Sequence, residues 1–208
     1  LNHAGRPTDL LRAVYGINEY QKVYLIDRAV HEAQFNFNQK TVALLGLSFK
    51  KRTNDMRDSA ALRVAESLLS RGVGTIRAYD PLAMDEARRN WFNPDKNHLF
   101  ERITYHESAV EAIQGSDALY ISTDWEEFRG LTRTIEKTVK PPYLVMDGRR
   151  MLPDYEMLAA AGYDYLPVGG LLMRGDGNLD GNGHDAQPAQ DEVMQPALAL
   201  SLIHISEP

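Results

Sequence analysis

Two short segments gather side chains that can recognise an anion. Gly46-Leu47-Ser48-Phe49-Lys50-Lys51-Arg52-Thr53-Asn54-Asp55-Met56-Arg57 holds Lys50, Lys51, Arg52 and Arg57 around a single aromatic, Phe49. Met146-Asp147-Gly148-Arg149-Arg150 sets two further arginines beside a carboxyl group. An arginine fork matches phosphate or sugar oxygens, and a neighbouring Asp such as Asp147 can hold the guanidinium of Arg149 in place. Cations just ahead of a helix add to the positive end of its dipole, so the first segment reads as an anion site, with Phe49 placed to pack on a sugar or base. Charge alone leaves a solvated basic loop open, and a lone surface Asp-Arg pair contributes little. Other chemistries lack their residues. The chain has no cysteine, and its six histidines are scattered with no pair at i,i+3 or i,i+4, so no disulfide or metal site is expected in it.

The elements that must position these segments follow from hydrophobic period. Pro7-Thr8-Asp9 opens a helix, with Thr8 or Asp9 as cap. Leu10, Val14, Ile17, Leu25 and Ala29 then recur at helical spacing and predict one long helix to about residue 36. Asn18 and Gln21 interrupt its apolar stripe; either they are polar positions on a packed helix, or they fix register between subunits. From Thr41 the pattern alternates. Strands are expected at 41–45, 75–79, 102–105, 118–122 and 143–146, with helices at 59–69, 108–114, 131–139 and 153–161. Short apolar strands alternating with helices predict an α/β fold, a mainly parallel, doubly wound sheet with helices on both faces. In such sheets ligands bind beyond the carboxyl ends of the strands, where both cationic segments lie. The turn at Gly46 has one glycine where a dinucleotide loop has Gly-x-Gly-x-x-Gly, so it is not an NAD phosphate loop. The division expected is a helix at 1–38, an α/β domain at 39–168 and a disordered tail at 169–208.

Composition narrows the classes. At 208 residues, 43% hydrophobic and with net charge -6, the chain has enough apolar content for one ordinary core, and its acidity disfavours nucleic acid and acidic lipid as partners. The longest apolar runs, such as 41–49, fall well short of the roughly 20 residues that cross a bilayer, and no leader precedes them, so a cytoplasmic protein is expected. The chain opens on Leu1 rather than Met, from which it is expected to be a piece of a longer one. Beyond Gly169 it turns rich in Gly, Asp, Asn, Gln and Pro, and residues 200–208 resemble the translation of a sequencing-library adapter; a short docking tail is the other reading.

The order of these segments resembles the UDP-glucose/GDP-mannose dehydrogenase family over residues 6–168. The resemblance is carried by Asn18-Glu19-Tyr20-Gln21, by Val42-Ala43-Leu44-Leu45-Gly46-Leu47-Ser48-Phe49-Lys50 with Asn54-Asp55-Met56-Arg57-Asp58-Ser59, and by Ala78-Tyr79-Asp80-Pro81. It continues in residues 117–128 and Asp147-Gly148-Arg149, where Trp125, Phe128 and the Asp-Gly-Arg run look more like the UDP-glucose branch. It implies the central helix and nucleotide-sugar-binding domain of an enzyme that oxidises a sugar C6 alcohol to a carboxylate by two hydride transfers to NAD, through a cysteine thiohemiacetal and thioester. It further implies that Phe49, Lys50 and Arg149 contact UDP-glucose or a related nucleotide sugar, that Arg57 reaches NAD, which is bound mainly by another domain, and that the long helix forms a homodimer. The family's cysteine segment and NAD phosphate loop have no counterpart here, so this chain alone is expected to be inactive. A GDP-mannose or UDP-N-acetyl-hexosamine dehydrogenase keeps the chemistry and changes the substrate. A noncatalytic receiver-like module is the alternative of another class, but it needs acidic residues where Phe49 and Lys50 stand.

Overall fold

A computed structural model describes residues 9–175; the Thr8 cap and the adapter-like segment 200–208 lie outside the described residues. Six parallel strands form one sheet: β1 (Thr41–Leu45), β2 (Thr75–Tyr79), β3 (Ile103–Tyr105), β4 (Ala118–Ile121), β5 (Leu144–Asp147) and β6 (Asp164–Pro167), in the order β3-β2-β1-β4-β5-β6. The helices are α1 (Asp9–His31), α2 (Ala60–Ser70), α3 (Met84–Glu86), α4 (Ala109–Ile113), α5 (Leu131–Thr138) and α6 (Tyr155–Ala160). The strand order is that of a doubly wound fold, reversing direction between β1 and β4. The period-2 geometry of a strand divides the core. Val42, Leu44, Ala118, Tyr120, Leu144 and Met146 face α1 and α2, whereas Ala43, Leu45, Leu119, Ile121 and Val145 face α4, α5 and α6. Both faces are covered, which is why these strands read as continuous apolar runs.

Three elements differ from expectation. The long helix stops at His31 instead of near residue 36. Gln34 takes a left-handed φ of 53°, Phe35 and Phe37 turn into the core with rings 4.9 Å apart, and Arg174 donates to the freed carbonyls of Glu32 and Ala33. The strand β6 was not anticipated, because four residues ending in Pro167 give little periodicity and proline suits only a sheet edge. The chain at 169–175, expected to open the tail, packs back on the sheet. Leu172 is buried, Met173 bridges Tyr165 in antiparallel fashion, and Arg28 donates to the carbonyls of Pro167 and Gly170 at 2.9 and 2.7 Å. Arg28 thereby ties the end of α1 to the strand farthest from β1 in that direction, and its bidentate pairing with Glu32 raises its pKa further.

Helix α1 is buried along only part of its length. Leu25, Ile26 and Ala29 belong to the sheet's core, while Leu10, Leu11, Val14, Tyr15, Ile17 and Tyr20 are exposed, Leu10 at 76%. Its amino-terminal turns therefore project past the domain.

The loops at the carboxyl edge are pinned by one side chain. Asp80, 1% exposed, follows β2. Its Oδ2 accepts from the Leu47 and Ser48 amides at 2.7 and 3.0 Å, from the Ser48 hydroxyl at 2.9 Å and from the Trp125 indole at 3.0 Å. Its Oδ1 accepts from the Leu82 and Ala83 amides at 2.9 and 2.8 Å. Every neighbour is a donor, so Asp80→Asn turns an amide group toward donors and leaves several buried groups unsatisfied. This substitution is expected to cost about 3 kcal/mol or more in urea unfolding, and Trp125→Phe, which removes one bond to the carboxylate and trims a buried ring, about 1.5 to 3 kcal/mol; an Asp80→Asn protein as stable as the wild type would refute this role.

Candidate functional site

In a doubly wound sheet the ligand crevice opens where the strand order reverses, here between the ends of β1 and β4. In this chain that position is filled by protein. Gly46 has φ 86°, and a Cβ on it would lie 2.5 Å from Thr123 Cβ. The Thr123 hydroxyl donates to the Ser48 carbonyl at 2.6 Å, the Ser122 amide donates to the Leu45 carbonyl at 2.8 Å, and Leu47 is fully buried. Asp80, the residue at the end of β2 where a dinucleotide fold sets its ribose-binding acid, spends both oxygens on these loops. The β1 turn thus does not fit the pyrophosphate of NAD, as its lack of a glycine-rich loop implied.

The open crevice lies one strand further along. About 250 Å³ in volume, it is bounded by Tyr120, Ser122, Gly148 and Arg149 on the strand side and by Asn18, Gln21 and Lys22 of α1 on the other. The Asp147-Gly148-Arg149 turn builds one wall, and each residue has a separate task. Asp147 is buried and accepts from the Arg149 and Leu152 amides, both at 3.1 Å, and from the Tyr165 hydroxyl at 3.0 Å. Burial pushes the Tyr165 phenol upward, which keeps it a donor. Gly148 leaves no room for a side chain, since a Cβ would meet the Ile121 carbonyl oxygen at 2.8 Å. Arg149 Nε donates to the Ser122 carbonyl at 2.7 Å, and its terminal nitrogens have no partner among the described residues. Asp147 therefore holds the backbone of Arg149, whereas its guanidinium, expected to rest on that carboxyl group, is oriented by Ser122.

The cationic loop after β1 is distributed differently. Phe49 and Lys50 are exposed, and neither borders the Arg149 crevice. Lys51 is engaged by Asp124 at 3.4 Å. Arg57 lines a separate cleft of about 370 Å³ with Tyr15, Arg63 and Trp91, its side chain 80% exposed and paired with Asp55 at 2.7 Å. The structure thus sets Arg149 and Arg57 against α1 in two neighbouring clefts that both include Lys22. Sequence reasoning did not include Ser122 or the amides of Asn18 and Gln21 in the crevice. The available signal was the break that these two amides make in the α1 stripe.

The chain matches the model of the UDP-glucose/GDP-mannose dehydrogenase family, UDP binding domain, over residues 43–154. It is similar to the UDP-glucose 6-dehydrogenase YwqF of Bacillus subtilis, 36% identical over 161 residues, covering 77% of this chain and 34% of that protein. Among solved structures it resembles a UDP-glucose dehydrogenase from Pyrobaculum islandicum, at 28% identity and TM-score 0.54, over 67% of this chain and 28% of that one. A UDP-D-ManNAc dehydrogenase from Pyrococcus horikoshii aligns at 26% identity and TM-score 0.59, over 85% of this chain and 36% of that one. The chain spans about a third of the length of the curated relatives it matches.

The Asp55 and Arg57 pair gives the loop a measurable signature. Hydrogen bonds from the Arg57 side chain and amide hold the Asp55 carboxyl at about 2, below its ordinary value. Because this pKa is depressed, the pairing is present at neutral pH and is lost only as pH falls through that low value. In an NMR titration the Asp55 carboxyl is expected near its depressed midpoint in the wild type and raised toward the usual carboxylate range in Arg57→Ala, which removes the side-chain bonds and keeps the amide bond. The same midpoint in both proteins would refute the pairing.

Proposed function

This chain belongs to the UDP-glucose/GDP-mannose dehydrogenase family through its UDP-binding domain, and from that premise we propose that it is the substrate-holding part of an NAD-dependent enzyme that oxidises UDP-glucose to UDP-glucuronate. The observation that carries this reading is the crevice at the ends of β4 and β5, where the terminal nitrogens of Arg149 are free of partners among the described residues. A guanidinium set by a backbone carbonyl and left with open donors is suited to a phosphate oxygen. At about 250 Å³ the crevice is smaller than the range usual for whole ligands, so a nucleotide sugar extends beyond it. Lys50 and Phe49, exposed on the turn after β1, are the residues assigned to the protruding part.

NAD falls outside the β1 turn of this domain, whose closed geometry rejects a pyrophosphate. Arg57, exposed in its own cleft, is the residue assigned to reach a cofactor held by another domain. The chain contains no cysteine. On the covalent route that the resemblance implies, the nucleophile is therefore supplied from outside it, and this chain binds substrate without oxidising it. The similarity to the Pyrococcus horikoshii enzyme supports a second reading, the same oxidation on an N-acetylated UDP-sugar.

Calorimetry with UDP-glucose on four proteins tests the site. Each charge-assisted bond contributes about 1.5 to 3 kcal/mol, or roughly ten- to a hundredfold in affinity. Lys50→Ala and Arg149→Lys are expected to lose binding on that scale, the latter because it loses the planar fork despite keeping its charge. Lys51→Ala, whose cation is already engaged by Asp124, is expected to bind nearly as the wild type does. Equal affinity in all four removes these residues from the site.

We also propose that α1 mediates homodimer formation, supported by the exposed Leu10, Leu11, Val14, Tyr15 and Ile17 on its projecting turns. Sedimentation at micromolar concentration is expected to show a dimer that Val14→Glu with Ile17→Glu dissociates. A wild-type chain that stays monomeric throughout that range would count against the proposal.

A further inference from the structure

We infer that the amide face of α1 completes the nucleotide site, with Asn18 and Gln21 on one wall and Ser122 on the other binding the uridine end of the ligand while Arg149 takes its phosphate. The inference rests on the reading of the Arg149 crevice as the nucleotide-sugar site and assigns specificity within it. Residues 14, 18, 21 and 25 share one face of α1 by their spacing. Val14 projects into solvent and Leu25 is buried in the core, and between them Asn18 and Gln21 stand where the helix overhangs the crevice. Both are exposed, so their amides are open to a ligand in the crevice.

The charge inventory decides which part of a nucleotide fits. The Lys22 ammonium is countered by Glu19 at 2.6 Å, whereas the Arg149 guanidinium has no carboxylate partner among the described residues. The remaining polar side chains are neutral, namely the amides of Asn18 and Gln21 and the hydroxyls of Tyr24, Tyr120 and Ser122. A phosphate only accepts hydrogen bonds, and the carbonyl oxygens of Asn18 and Gln21 have nothing to offer it. An amide presents donors and acceptors together, which matches groups that present both, namely the imide edge of uracil and the ribose hydroxyls. The volume of about 250 Å³ suits a nucleoside-sized piece rather than the whole ligand.

Ser122 is an independent sign of a missing partner. It lines the crevice at 4% exposure, and its hydroxyl is buried without a hydrogen-bond partner. Tyr105 and Thr132 also carry unpaired buried hydroxyls, but of the three only Ser122 lines the crevice, where a ligand can supply the bond.

The test compares UDP with inorganic pyrophosphate, by NMR shift titration of the whole chain. Asn18→Leu and Gln21→Leu retain or improve helix propensity on an exposed face, and circular dichroism with thermal melting verifies that they fold. Each is expected to weaken UDP roughly three- to tenfold, the scale of one or two neutral hydrogen bonds, and to leave pyrophosphate unchanged. Ser122→Ala is expected to behave the same way, whereas Arg149→Ala weakens both ligands. Unchanged UDP affinity in both α1 variants, with Arg149→Ala still defective, overturns this inference and leaves the crevice as the nucleotide site. Equal weakening of UDP and pyrophosphate in the α1 variants overturns it as well, because the amides would then act on the phosphates. An Arg149→Ala protein that binds UDP normally, or a wild-type chain that binds none, overturns the reading of the crevice and this inference with it.

Discussion

The constraint on which the site depends is the buried carboxyl group of Asp80. Its two oxygens gather the turn after β1, the turn after β2 and the Trp125 indole beyond β4, so three loops that would otherwise stand apart become one packed edge. Such a network is worth having only when every member is satisfied, and here each contact is a donor to an acceptor. The consequence is spatial. The reversal point between β1 and β4, where this topology ordinarily receives a dinucleotide, is closed by the protein's own side chains, and the opening is displaced to the ends of β4 and β5.

Displacement gives α1 its second role. A helix lying over the ends of β4 and β5 can wall a crevice only if it is anchored, and the anchor is at its far end. Arg28 reaches the carbonyls of Pro167 and Gly170, and Leu25, Ile26 and Ala29 enter the core. The Asp147-Gly148-Arg149 turn forms the facing wall by a division of labour in which the carboxyl group shapes the backbone, the glycine permits contact with β4, and Ser122 aims the guanidinium. Retaining the arginine while losing either neighbour would leave the charge in place and its direction unspecified.

The sequence makes the framework legible because strands buried on both faces read as apolar runs. Thr41–Leu45 and Thr75–Tyr79 stand where periodicity sets them, and the other expected strands differ by about one residue. What escaped is local or long-range in origin. β6 is short and ends in proline, and the stretch 80–102 winds through α3, a π-helical turn at Ala87–Trp91 and a 3-10 turn at His98–Arg102, none of which has a strong period. At the site, the residue types of the Asp-Gly-Arg turn pointed to an arginine at a strand end. They did not reveal that its guanidinium rests on Ser122, because that bond joins residues 27 positions apart. Lys50 and Arg149 follow strands of one sheet, yet sharing an edge does not by itself put two side chains in one crevice.

The two faces of α1 are not independent. Asn18, Gln21 and Lys22 border the crevice, and the neighbouring Leu11, Tyr15 and Tyr20 are exposed on the same turns and the turn before them. These turns project beyond the core, tied to α2 by the Arg63–Glu19 pair at 3.1 Å, and the ends of helices are where opening is easiest. Anything that packs on the exposed apolar face restrains the backbone that carries Asn18 and Gln21. The entropy of fixing that wall is then lost when the helix is covered and not when a ligand enters, which raises the ligand's affinity without adding a contact to it. The proposed association through α1 and the proposed occupancy of the crevice would in this way be linked, each favouring the other by the same free energy.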